Sequence, residues 1–282
     1  MISFEDLLSY LELPMVQRAF IVTGLISICA AFIGVTLVLK RLSNIGDGLS
    51  HVAFFGFGLA ILTSVTDKVF IILPVTFAAA FLLIRTRNNK KLKGDSLIAM
   101  LSVGALALTY FLLNVFNSSS NVAGDVCSTL FGSSAILTLS NVDVWISISL
   151  CAVTTIIYIL FYNKIFVVTF DDKFARASGI KVEIYEIAIA LSIALIVTIS
   201  INLVGSLLVT ALLVFPSISA MRICRRYKSV IIVSVIISVV NSIFGMLLSI
   251  MLSAPVGPTI VIVEAVVFLV CLLIGFIKGA RA

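Results

Sequence analysis

Residues 222–252 read RICRRYKSVIIVSVIISVVNSIFGMLLSIML, a basic turn followed by a run from 229 to 252 that holds no charged residue. A helix of roughly 20 mostly apolar residues crosses the hydrocarbon core of a bilayer. The stretch reads as a membrane-spanning helix entered from its basic end. The rest of the chain repeats the pattern. Of its 282 residues 61% are hydrophobic and 11% charged, where soluble domains carry about 25% charge; the mean hydropathy is +1.27. The sequence therefore predicts an all-α integral membrane protein, a polytopic bundle of about eight to nine transmembrane helices forming one domain over 1–282.

Long apolar runs bounded by charge or turn residues fall near 15–39, 45–66, 69–84, 96–116, 142–163, 184–200, 203–221, 229–252 and 259–277. The division within 184–221 is the weakest of these boundaries. Cytoplasmic loops carry an excess of Lys and Arg. Placing Lys40 and Arg41 inside also places inside 85–93, the 164–181 loop, the 222–228 turn and Lys278 with Arg281, and leaves only Arg18 and Lys68 of the 19 basic residues on the outer half. The expected topology is N-out and C-in, in the cytoplasmic membrane. The first dozen residues carry Glu5, Asp6 and Glu12 and no Lys or Arg, unlike the basic start of a cleaved signal peptide, so insertion without cleavage is expected. The net charge of +6 sits in short turns and reports orientation within lipid; nucleic acid is not an expected partner. The five cysteines are scattered and form no CxxC pair, which gives neither a disulfide framework nor a thiolate metal site.

Within this apolar chain, residues 46–51 read GDGLSH, and His51 is the only histidine. On a helix, positions i and i+4 share a face, so Asp47 and His51 meet. Ionisable residues in a span are costly and by default mark a pathway. Carboxylate oxygen with imidazole nitrogen suits Zn²⁺ or Mn²⁺ and is poor for Cu(I). Two ligands hold a metal weakly, and a two-fold dimer, the commonest oligomer, doubles them. Spacing alone leaves a second reading open, in which Asp47 caps the helix and His51 is a hydrogen-bonded core histidine. Gly56 with Ala60 forms a small-xxx-small pair suited to close packing. Elsewhere Glu264 is an auxiliary ligand, an ion-pair partner or a group near the outer surface; Asn202 and Asn241 read as interhelical hydrogen-bond donors, and Pro216 kinks or ends a span.

Two segments lie outside the apolar runs. The outer one, 117–143, reads either as a short surface helix around Leu130 and Phe131 or as a connecting loop. The inner one, FDDKFARASGIKVEIYE at 170–186, has Asp171 or Asp172 to cap a helix N-terminus and Gly179 to stop it, which predicts one to two amphipathic turns at the cytoplasmic surface. Enzyme signatures are absent. There is no GxxxxGK[ST] phosphate loop, no HExxH and no GxSxG, so ATP hydrolysis by the P-loop route belongs to another subunit if it occurs.

Four blocks in order, KRLSNIGDGLSHVAFFG (40–56), FDDKFARASGI (170–180), GSLLVTALLVFPSISAMR (205–222) and PVGPTIVIV (255–263), resemble the membrane permease subunits of bacterial ABC importers for zinc, manganese and related divalent metals. The resemblance covers most of the chain. It implies a type II ABC importer-like permease and no permanently bound cofactor. The implied partners are a second copy of the chain, two ATP-binding cassette ATPase subunits, an extracytoplasmic metal-binding protein and the membrane lipids. It assigns Asp47 and His51 to transient contact with transported Zn²⁺ or Mn²⁺, and the 170–180 block, by Asp172, Ala175 and Gly179, to a coupling helix that docks on the ATPase. The chain departs from the family pattern at Gly48, Phe55 and the uncharged Ser253 and Ala254. Rival expectations are a permease for a metal chelate or vitamin, with a wider path, and a secondary transporter using Asp47 for a proton or Na⁺.

Overall fold

A computed structural model describes residues 9–63, 65, 68–87, 94–116 and 139–277. The expectation for Leu130 and Phe131 lies outside these residues. Among them the chain is helical with short connections and no strand. In order the helices are α1 (Pro14–Leu39), α2 (Ile45–Leu62), α3 (Val69–Arg87), α4 (Gly94–Phe116), α5 (Asn141–Phe170), α6 (Asp172–Ala177), α7 (Val182–Val204), α8 (Ser206–Ile223), α9 (Tyr227–Leu252) and α10 (Val256–Ile277). Each apolar run of the sequence corresponds to one long helix. Eight of these are long and apolar enough to cross a bilayer by length and composition alone, whereas the apolar part of α3, Val69–Leu83, is shorter.

One contact among the described residues bears on whether α3 crosses. The Lys40 ammonium, at the end of α1, reaches the Asp172 carboxylate just after α5. With α2, α4 and α5 crossing, and 117–143 read as an outer connection as in the sequence, those two ends share a side of the membrane only if α3 crosses as well. Its 19 residues span about 28 Å at 1.5 Å per residue, of which the apolar part, Val69–Leu83, covers about 22 Å, less than the roughly 30 Å of a hydrocarbon core. Counted with α3, the nine long helices among the described residues put the basic loops on one side, the arrangement that the N-out, C-in reading expects.

α1, α2, α7 and α8 form the interior, where Ile26, Leu37, Leu49, Phe54, Ile193, Ile196, Leu208, Leu212 and Leu213 are fully buried. α4, α5 and α10 turn large apolar side chains outward, among them Phe111, Leu160 and Phe276, as lipid-facing helices do. The division within 184–221 falls at Gly205, whose φ of 89° and ψ of 156° lie in a region essentially closed to other residues. Pro216 does not end its helix. α8 runs on to Ile223, and the Ser217 hydroxyl donates to the Leu213 carbonyl at 3.1 Å, one residue past the Leu212 carbonyl that the proline leaves without its amide donor.

α5 begins with a capping box, in which the Ser140 hydroxyl accepts from the Asp143 amide while the Asp143 carboxylate accepts from the Ser140 backbone. It runs on to Phe170, past the apolar limit at 163. Lys164 ends the apolar run but is a good helix former, and the helix stops only where Asp171 adopts an extended conformation.

Candidate functional site

α2 is wrapped by its own chain on several faces. Gly46 lies against Leu213 and Thr210 of α8, Gly48 against Ile98 and Ser102 of α4, and Gly56 against the Cα of Ile72 in α3. Small residues on these faces let the neighbouring helices approach, and the Gly56 contact bears out the close packing expected there. Asp47, His51, Phe55 and Leu59, one turn apart, form a further stripe in which none is buried. The Asp47 side chain is 61% exposed and that of His51 19%. The pair thus lies on the open face of a central helix, outside the protomer's own core.

The His51 Nε2 stands 3.5 Å from the Asp47 Oδ1, which is long for a hydrogen bond. Two N and O ligands bound to one ion at roughly 2.0–2.2 Å, with a tetrahedral angle between them, lie about 3.4 Å apart. The same separation is that of an i, i+4 ion pair, so the distance is compatible with a shared cation and with direct pairing alike. His51 Nδ1 is buried and without a hydrogen-bond partner among the described residues, so no neighbour there holds the ring in the manner of a structural core histidine. Among the described residues no group of three His, Cys, Asp or Glu could hold a metal within one chain, while zinc sites take three or four protein ligands.

The 170–180 block forms α6 and its caps. Asp171, the first of the two candidate caps, accepts from the amides of Lys173 and Phe174, each at 2.9 Å. At the other end Gly179, with φ +78°, sends its N–H to the Arg176 carbonyl, and Ile180 sends its N–H to that of Ala175. This pair of bonds is the Schellman stop that a glycine at that position favours. Ala175 is 0% exposed and packs with Val168 and Val182. It seats α6 on the chain and leaves nothing for a partner to touch; the outward side chain is that of Phe174. Asp172 is half-exposed and turns back toward α1.

That contact brings in two residues for which the sequence assigned no site role. The Lys40 side chain, 4% exposed, donates to Glu186 Oε1 on α7 at 3.1 Å and to Asp172 Oδ1 at 3.5 Å. A buried cation needs such partners, and removing one side of a buried pair typically costs about 3–5 kcal/mol. Lys40 served the sequence reading only as an orientation marker. The available signal was a second carboxylate, Glu186, at the mouth of an apolar run. Glu264 proves to be fully buried within the bundle, its Oε2 accepting from Asn241 Nδ2 of α9 at 3.0 Å. Asn241 is the interhelical donor expected of it; the side chain of Asn202 lies outside the described residues.

Residues 12–275 match a family described as the ABC 3 transport family. The chain belongs to that family. Among its relatives, the manganese import system permease protein ScaB of Streptococcus gordonii is 27% identical over 92% of this chain and 91% of its own length. The high-affinity zinc uptake system membrane protein ZnuB of Haemophilus influenzae is 27% identical over 89% and 95%. A solved structure, PsaBC from Streptococcus pneumoniae in complex with Fab, shares the fold with a TM-score of 0.83 at 24% identity, covering 95% of each chain. This ABC 3 transport family member is a multi-pass protein of the cytoplasmic membrane.

Proposed function

We propose that the protein is the membrane permease of an ATP-driven importer of Mn²⁺ or Zn²⁺. Two copies bring their α2 stripes together, and the paired Asp47 and His51 side chains hold the ion in passage. The carrying observation is the geometry of that pair, a carboxylate and an imidazole 3.5 Å apart on a face that the described chain leaves open. A second copy raises two ligands to four and takes the pair out of bulk water. The relatives' names, manganese import and zinc uptake, support the cargo class. A cargo site must release what it binds, and a set completed only between two copies is undone when they shift. ATP hydrolysis belongs to separate ATPase subunits, with α6 as the docking element and an extracytoplasmic binding protein delivering the ion.

His51→Ala removes half of the nitrogen and oxygen ligand pair from each copy. We expect at least a tenfold loss of Mn²⁺ and Zn²⁺ uptake in cells, with unchanged amounts of protein in the membrane. Full uptake by that variant would overturn the assignment.

A further inference from the structure

Lys40 stands where three parts of the chain meet: the end of α1, the start of α6 and the start of α7. Its ammonium has three donors on a flexible stem and faces two carboxylates of unlike character. Glu186, 3.1 Å away, has a side chain only 8% exposed, while Asp172, 3.5 Å away, is 40% exposed and is the first residue of α6. The buried, shorter contact is the fixed anchor. The longer, solvent-side contact is the one that displacement of α6 strains or releases.

On its other side Lys40 leads directly into the metal pair. Arg41, with φ +58°, reverses the chain. Leu42 donates its N–H to the Leu37 carbonyl at 2.8 Å, Ile45 to that of Leu42 at 3.0 Å, and Gly48 to that of Asn44 at 3.0 Å. The turn from 40 to 44 is therefore hydrogen-bonded into both helices, and Asp47 lies in the first turn of α2. A pull on the Lys40 side chain is delivered to the helix end that carries Asp47 with little slack.

We infer that Lys40 is the positioning residue through which α6 sets the placement of Asp47, with Glu186 as its anchor and Asp172 as the contact that changes. This rests on the metal-import reading above and assigns a transmission route within it. The Glu186 contact serves a brace, and the Asp172 contact ties the same ammonium to the element on which the import reading docks a cytoplasmic partner.

The test uses the complete complex with its ATPase subunits and binding protein in proteoliposomes, with Mn²⁺ as the ion. The double variant Lys40→Met with Glu186→Gln removes both buried charges together, a change that buried pairs often tolerate. Asp172→Asn leaves the buried Lys40 and Glu186 pair in place and removes the charge that faces Lys40 from α6. For both variants we expect the ATPase subunits to co-purify and the Mn²⁺ moved per ATP hydrolysed to fall at least tenfold, while Lys40→Arg keeps at least half of the native ratio. Spin labels at Asn44 of the two copies should show a nucleotide-dependent distance change in the native complex that is lost in the double variant. If the double variant does not assemble, Asp172→Asn decides alone. An unchanged ratio in an assembled variant overturns the proposal. Failure of the import reading itself is read separately, as undiminished transport by His51→Ala.

Discussion

A carboxyl group without access to water, as Glu264 is, poses a question of charge at the scale of a single residue. One of its oxygens is met by Asn241 and the other has no hydrogen-bond partner among the described residues. An ionised group there is expensive, whereas a glutamine fills the same volume and still accepts from Asn241. Glu264→Gln is therefore expected to keep at least half of native Mn²⁺ uptake and not to lower the thermal aggregation temperature in detergent. Glu264→Ala loses both packing and an interhelical bond, worth about 0.6 kcal/mol in membrane proteins, and should lower it. If Glu264→Gln abolished uptake, the residue would join the ion path. At this scale the sequence was partly legible. The i, i+4 spacing placed Asp47 beside His51 because helical periodicity is a local property. It could not place Lys40 between Asp172 and Glu186, since that meeting depends on how three distant helices converge.

At the scale of elements, apolar runs bounded by charges located every long helix because lipid imposes length and composition directly on sequence. The cuts that were hard to place were conformational. Gly205 separates α7 from α8 by backbone geometry alone, with no polar loop to announce it. A Cβ at φ 89° and ψ 156° is strained by about 1–3 kcal/mol. Gly205→Ala is expected to lower the melting temperature of the purified protein by several degrees, with the membrane topology unchanged; a native melting curve would mean that the turn relaxes into another conformation. The caps of α6 were legible too, down to the alternative of Asp171 or Asp172, because capping residues act on amides two or three positions away. The inward turn of Ala175 was not, since it depends on the approach of Val168 and Val182.

For the whole molecule, the proposed dimer covers the open stripe of α2 with a second copy. In a variant freed of native cysteines, Phe55→Cys, one turn beyond His51 on that stripe, is expected to cross-link to its own copy under mild oxidation in native membranes. Phe276→Cys, on the exposed face of α10, should not. Equal cross-linking at both positions would point to random collisions and against a dimer built on α2. The 30 residues of α5 have a consequence for reach. Such a helix is about 45 Å long, more than the roughly 30 Å of a hydrocarbon core, and its last stretch, from Lys164 to Phe170, carries the chain about 10 Å beyond the apolar run into α6. A protein that docks on α6 would therefore meet the end of a continuous helix, held through Ala175 against Val168 and Val182, in place of a flexible loop.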